Sequence, residues 1–497
     1  MDTVQATRSG APISEYPRRW LALAVIAVAQ LMVVLDATIV NIALPQAQAD
    51  LGISDPDRQW VVTAYTLTFG GFLLLGGRIA DYWGRKRTFI AGAVGFALAS
   101  GLGGLAQHGA TLFAARALQG AFGALLAPAS LALLTVLFTE VHERSKAFAV
   151  YGAIAAGGAA VGLLLGGVLT EYANWRWCLL VNIPIALLAM LAALAVVPES
   201  RAHGNTTLDV PGAVVVTVGL ASIVYGFTKA ATDGWDAPVT LGFLVGGVLL
   251  VAVFVFLQMR VRNPLLPLRI LLDRNRGGAY LGSLFVGAGL FGSFLFMTFY
   301  FQRTLGYSPM KAGLAALPVS AGVFVAAAVA SQFVPKVGPK AFMVTGGVFA
   351  TVALLWLTQI GVDTAYVSHV LPAQILLGLG LGSIFVPLSS LALIGVADHD
   401  AGAASATLNA TQQVGASLGT ALLNTLFVSA VTAYLTDHAA GVVLRPQQTQ
   451  AEAAVHGYTI AFLWAGIILG VATVVMAVVV KAHKSDLPAQ GAGGGPM

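Results

Sequence analysis

Charge is what this sequence has least of: Lys, Arg, Asp and Glu together make up 9% of its 497 residues. Soluble domains carry roughly a quarter. Hydrophobic residues account for 58% and glycine for 57 positions, so soluble domains of this length are excluded. The repeated apolar runs of about twenty residues have the length a helix needs to cross a bilayer. Cysteine is nearly absent, and a single Cys178 excludes both a disulfide framework and a cysteine-based metal site. The eight histidines fall in loops or near the ends of apolar runs, so an intramembrane histidine cluster is absent. No Gly-Lys dipeptide occurs, which removes the P-loop and an ATP-driven pump built into this chain. No nucleophile with a base, metal cluster or cofactor loop stands out, so neither an enzyme nor a cofactor is expected.

What is present is an all-α polytopic membrane pattern of fourteen spans. They run roughly over 20–44, 59–79, 88–106, 111–138, 146–169, 177–197, 210–229, 238–259, 277–301, 312–334, 341–360, 366–396, 403–434 and 458–480. The net charge of +5 would suggest nucleic acid in a soluble chain. Here nineteen of the 26 cations fall in loops on one side and six on the other, with Arg116 inside a span. That bias predicts both termini in the cytosol and a multi-pass protein of the cell membrane, with the lipid bilayer, not nucleic acid, as its surroundings. The expected organisation is a tail over 1–18, a six-helix bundle over 19–197 and a connection with an extra helix pair over 198–260. A basic cytosolic link over 261–276, a second six-helix bundle over 277–481 and a flexible Gly-rich tail over 482–497 follow. The LLPLRILL stretch of the link has the pattern of an interfacial helix.

A knot of charge, Gly76 to Arg87, lies between spans 2 and 3. Arg85, Lys86 and Arg87 cannot sit in hydrocarbon, so the knot is a water-facing hinge, and Gly77 and Gly84 let its two helices turn and approach closely. Asp81 has two natural partners, the nearby arginines or the positive N-terminus of a neighbouring helix. Gly77, Ile79, Ala80, Asp81, Gly84, Arg85 and Lys86 resemble the signature loop of the major facilitator superfamily; Tyr82 departs from it. Residues 334–340 repeat the loop faintly in the second half, keeping Gly338 and two cations but with Pro335 for the aspartate. The resemblance implies two repeat-related six-helix bundles with a substrate site between them at mid-membrane.

Two six-helix bundles plus two extra central helices look like the fourteen-span drug:proton antiporter branch. So do LDATIVNIALP from Leu35, RALQGAFGALLAPA from Arg116, the run Trp175 to Pro184, and the runs from Tyr300 and Asn409. The branch's span 5 motif is kept without its proline at Gly162 to Gly167. Gly158, Gly162 and Gly166 still share one helix face, as a conformational element or as simple helix packing.

Asp36 is the only carboxylate well inside an apolar span. Burying it at a helix centre costs roughly 2.5 to 3.5 kcal/mol, which calls for a role. With span 1 ending near Leu44, Asp36 is expected ~12 Å below the outer face and Arg116 at ~8 Å, depths compatible with contact. Two roles fit: proton coupling, with proton and cationic drug competing for Asp36 while Arg116 tunes it, or a permanent structural pair. The polar residues Tyr65, Gln119, Gln302, Asn409 and Gln412 complete the candidate substrate cavity; each alone also reads as an interhelical hydrogen bond. The resemblance implies a monomeric secondary exporter that exchanges protons for small amphipathic drugs. A solute importer of the same fold is the alternative; it would carry more hydrogen-bonding groups deep in its spans.

Overall fold

The computed structural model describes residues 16–201, 208–261, 264–266, 268–396 and 401–482. Residues 1–15, the Gly-rich end and residues 202–207 of the connection between the first bundle and the extra pair lie outside the described residues. In the first bundle are α1 (Arg19–Leu51), α2 (Trp60–Trp83), α3 (Arg85–Gly104), α4 (Gly109–Leu137) and α5 (Val141–Tyr172), followed by α6 (Trp177–Leu180) and α7 (Asn182–Val196), which together make one broken span. The extra pair is α8 (Val210–Asp233) and α9 (Pro238–Arg260). After α10 (Leu268–Leu271), the second bundle holds α11 (Arg274–Phe299), α12 (Pro309–Val337), α13 (Pro339–Trp356), α14 (Leu371–Leu393), α15 (Ala401–Asp437), α16 (Ala439–Leu444) and α17 (Pro446–Val479). A π-helical turn, Tyr300–Thr304, extends α11.

Thirteen helical stretches among the described residues are long and apolar enough to cross a membrane. The one further long helix, α3, opens on Arg85, Lys86 and Arg87 and is rich in glycine, which lowers its hydropathy; it nonetheless packs between α4 and α7 like a span. The two halves repeat each other at a turn. Gly84 joins α2 to α3 at φ 117°, and Gly338 joins α12 to α13 at φ 103°. Both conformations suit glycine alone, and at Gly84 an added Cβ would also lie 2.6 Å from the Glu199 carboxylate.

Polar side chains start several helices by taking their unpaired N–H groups: Glu140 accepts from Glu143 N, Asp209 from Gly212 N, and Asp273 from Arg276 N. At Glu140 the bond to the Glu143 N–H holds the carboxyl below its usual range. The link differs from expectation. Among the described residues of LLPLRILL only Leu268–Leu271 is helical, with Leu265 in a buried cluster with Leu75 and Ala213 and Ile270 in one with Tyr280 and Ala404. In the extra pair, α8 lies against α2 and α15 together: Gln59 Nε2 donates to Thr228 Oγ1 at 2.8 Å and Thr425 Oγ1 to the Phe227 carbonyl at 2.7 Å. The pair thus flanks the seam between the bundles.

Candidate functional site

Asp36 sits in α1 with none of its surface exposed. Its Oδ2 accepts from Arg116 Nη1 of α4 at 2.6 Å; its Oδ1 accepts from Gln119 Nε2 at 3.0 Å and from Asn182 Nδ2 of α7 at 2.7 Å. Arg116 and Gln119 stand three apart on α4 and so project from one face. Arg116 also donates Nε to the Val61 carbonyl in the first turn of α2, at 2.9 Å, and its guanidinium lies 4.4 Å from the centre of the Tyr65 ring. Gln119 Nε2 reaches Ser100 Oγ of α3 at 2.7 Å. Every member of this network belongs to the first bundle. A buried ion pair is tolerable only when its remaining donors and acceptors are met, and the partners from α2, α3 and α7 meet them.

The α1 helix does not end near Leu44 but continues through Pro45 to Leu51, which places Asp36 ~22 Å from the helix end. Proline lacks an N–H and loosens the ladder of α1 there. Across the gap between bundles, Gln302 Nε2 donates to the Ile42 carbonyl at 2.8 Å and Arg303 Nη2 to the Pro45 carbonyl at 3.2 Å.

These bonds belong to a seal. Call the end carrying the Gly84 turn the basic end. At the opposite end, Arg58, from the loop between α1 and α2, reaches into the second bundle: its Nε donates to Asn424 Oδ1 at 3.1 Å, while Asn424 Nδ2 donates back to the Asp55 carbonyl at 3.0 Å and the Pro56 carbonyl at 3.3 Å. Met310 N donates to Glu171 at 2.8 Å. Among the described residues, every side-chain hydrogen bond joining residues 19–197 to residues 274–479 lies at this end. Deeper along the seam, α2 and α15 run antiparallel with Gly70 against Gln413. The helical period lines up Gln413, Ser417, Thr420 and Asn424 on the face of α15 that meets α2. Gln413 Oε1, Ser417 Oγ and Thr420 Oγ1 are buried without a partner. Each such group costs about 1 to 3 kcal/mol, which water would return if the seam opened.

At the basic end Asp81 pairs with Arg85, Oδ1 to Nη2 at 3.1 Å. The N-terminus of α3 is held instead by Glu199, which accepts from Lys86 N at 3.2 Å and lies 3.6 Å from Arg87, while Lys86 Nζ donates to the Leu194 carbonyl. Gly77 sits in van der Waals distance of Pro128. Gly158, Gly162 and Gly166 pack on α1, against Val34, Thr38 and Ile39. Of the candidate cavity residues, Asp36, Gln119 and Tyr65 meet around the coupling candidate Arg116, whereas Gln302 lies in the seal. Asn409 is exposed on α15, bonded to its own Ser405 carbonyl, and Gln412 is half-buried with its backbone against Gly287. Sequence reasoning missed Asn182, Ser100, Arg58, Asn424 and Glu199. Asn182 is the one polar residue in the apolar run before Pro184; Arg58, abutting the apolar start of α2, read as an ordinary loop cation.

Comparison with known proteins agrees with this architecture. The chain is 50% identical over 457 residues to puromycin resistance protein pur8 of Streptomyces alboniger, covering 91% of this chain and 90% of that protein. It is 38% identical over 412 residues to cephamycin export protein CmcT of Amycolatopsis lactamdurans, covering 82% and 84%. The crystal structure of a bacterial homolog of the human lysosomal transporter Spinster, inward-facing and unoccupied, superposes with a TM-score of 0.65 over 95% of this chain and 99% of that one, at 14% identity, and so shares the fold. The family model of the Major Facilitator Superfamily matches residues 26–420, and with the repeated Gly84 and Gly338 turns and the two six-helix bundles this places the chain as a member of the major facilitator superfamily.

Proposed function

We propose that this protein is a proton-coupled exporter of small amphipathic drugs, cationic or neutral and hydrophobic, working as a monomer in the cell membrane with both termini in the cytosol. The observation that carries the reading is the one-sided seal: among the described residues the side-chain hydrogen bonds between the bundles all lie at one end and none at the basic end, which the charge bias favours as the cytosolic one. This is the arrangement from which a pump loads from inside. Resistance and export among relatives as similar as 50% support the outward direction.

For coupling, the residues at hand are Asp36 and Arg116. With Asp36 fully enclosed, a drug cannot touch its carboxylate in this conformation, so drug and proton compete through the network. A proton on Asp36 removes the charge that Arg116 answers, and Arg116 also holds the Val61 carbonyl, three residues from Arg58 in the seal. Loss of the ion pair thereby reaches the first turn of α2 and the contacts that keep the outer end shut. Exchange of a monovalent cation for one proton moves no net charge, whereas a neutral drug against one proton gains roughly 2.3 kcal/mol per 100 mV.

A sensitivity panel in a host stripped of its own efflux pumps identifies a drug. Proton release is then measured on adding that drug at saturation to the purified protein in unbuffered detergent solution. Wild type should release protons and Asp36→Asn should not. Equal release from both would assign the proton to another group and leave the ion pair structural.

A further inference from the structure

Arg58 is 2% exposed, yet its charge is not held mainly by a carboxylate. Asp55 lies 3.4 Å away with its side chain 58% exposed, and Arg58 Nη2 is buried without any partner. What surrounds the guanidinium is aromatic: its carbon lies 4.3 Å from the ring centre of Phe299, 4.4 Å from that of Phe427 and 5.7 Å from that of Phe296. These rings come from α11 and α15 of the second bundle and belong to one buried cluster. Phe296 stacks on Phe427 at 5.3 Å, and Tyr458 of α17 backs Phe427 at 5.1 Å. Their arrangement rests on contacts inside the second bundle, whereas Arg58 is carried by the first.

We propose that the Phe296, Phe299 and Phe427 cluster is a binding site for organic cations, filled by Arg58 when this end is closed and by the exported cation when it is open, so that Arg58 is a tethered competitor. The proposal rests on the exporter reading and adds a second station to it. When the bundles part at this end, the guanidinium leaves with its loop and three ring faces turn toward the path of the cargo, with Asn424 Oδ1 at their edge. The cage suits a weakly hydrated cation, an alkylammonium or a delocalised aromatic cation, because it supplies π-faces without a carboxylate of its own bundle. Such a site holds cargo weakly. Closure returns Arg58 to the rings and expels whatever occupies them, which gives release a direction.

The test uses ethidium as the probe, its binding followed by fluorescence on the purified full-length chain. Arg58→Met keeps the bulk of the side chain and removes its charge; Arg58→Lys keeps a charge in the cage. Ethidium should bind Arg58→Met about fivefold more tightly than wild type, the ratio that about 1 kcal/mol of cation–π energy gives. The gain should vanish in Arg58→Met/Phe427→Leu and be absent in Arg58→Lys. Unchanged affinity in Arg58→Met, or a gain that survives Phe427→Leu, overturns the cage. Should Arg58→Met not fold, the same comparison is made between wild type and Phe427→Leu in ethidium efflux from cells: the cage predicts slower release from Phe427→Leu at equal expression, and equal release overturns it. Resistance of an efflux-stripped host to ethidium tests the exporter reading separately. Wild-type export with no Phe427-dependent gain sinks the cage alone; a Phe427-dependent gain in a chain that exports nothing sinks the exporter reading alone.

Discussion

Among the described residues two arginines are buried, Arg58 and Arg116, and they are buried in opposite ways. Arg116 faces a carboxylate at 2.6 Å inside one bundle, with partners on neighbouring helices that move with it. Arg58 crosses from one bundle to the other, lies on aromatic rings and keeps one nitrogen without a partner. Burial pushes the Arg58 guanidinium below its ordinary value, with nearby Asp55 only partly opposing that. A network that pairs both ions with each other and with neighbours inside one bundle is built to persist. A contact between two bodies that leaves groups unsatisfied is built to be broken.

The largest expected effect comes from separating the two. Arg116→Ala leaves Asp36 buried without its counter-charge, which should cost about 3 to 5 kcal/mol and lower the thermal midpoint of the purified protein steeply. Arg58→Ala strands no buried charge, because Asp55 is largely in water, and should shift the midpoint far less. Removing both charges of the first pair together, Asp36→Leu with Arg116→Met, should recover much of the lost stability. If Arg58→Ala proved as destabilising as Arg116→Ala, the distinction between a permanent and a breakable contact would fall.

Two glycines on α5 sharpen the same contrast at a smaller scale. At Gly162 an added Cβ would collide with Thr38 Oγ1 and lie 3.0 Å from the Leu35 carbonyl, inside the first bundle. At Gly167 it would lie 2.8 Å from Met310 Cα and 3.0 Å from the Pro309 carbonyl, across the seal. Overpacking of either kind costs about 1 to 3 kcal/mol. Gly162→Ala should pay that cost in every conformation and lower stability. Gly167→Ala pays it only while the seal is shut, so stability should hold while the sealed end opens. In a Cys178→Ala background with Thr420→Cys, an impermeant thiol reagent applied to intact cells should label Gly167→Ala several-fold faster than the parent, and Gly162→Ala no faster.

How much of this was legible in the sequence follows from what each residue's neighbours in the chain reveal. Span number and the turn at Gly84 were readable, because hydropathy and a glycine before three cations are local signals. The Asp36 to Arg116 pair was readable because a charge in an apolar run is rare and so needs a partner. Asn182, Ser100 and Asn424 were not, since an amide or hydroxyl in a span is common and only the packing of helices far apart in sequence decides which one meets an ion. The helix α1 runs seven residues past the expected span end at Leu44, and Gln302 and Arg303, far away in sequence, take the Ile42 and Pro45 carbonyls there. Arg58 was counted with the loop cations; nothing local tells that residues some 240 and 370 positions later supply its rings.

The smallest stability effect, and the sharpest test of function, is expected at the basic end. Asp81 and Arg85 form a partly exposed pair four residues apart, worth about 0.3 to 0.5 kcal/mol. The contacts described around this turn stay within the first bundle and the segment after it, through Glu199 and Leu194. Asp81→Asn should therefore leave thermal stability within about 0.5 kcal/mol of wild type and leave drug affinity in this conformation unchanged. Transport should nonetheless fall strongly. When the sealed end opens the basic end must close, and a carboxylate that is only locally paired now would then be free to hold the bundles together through a cation or a helix N-terminus of the second bundle. Binding and transport measured side by side on the purified protein separate the two roles: normal binding with wild-type transport would reduce the charge knot to a topology signal.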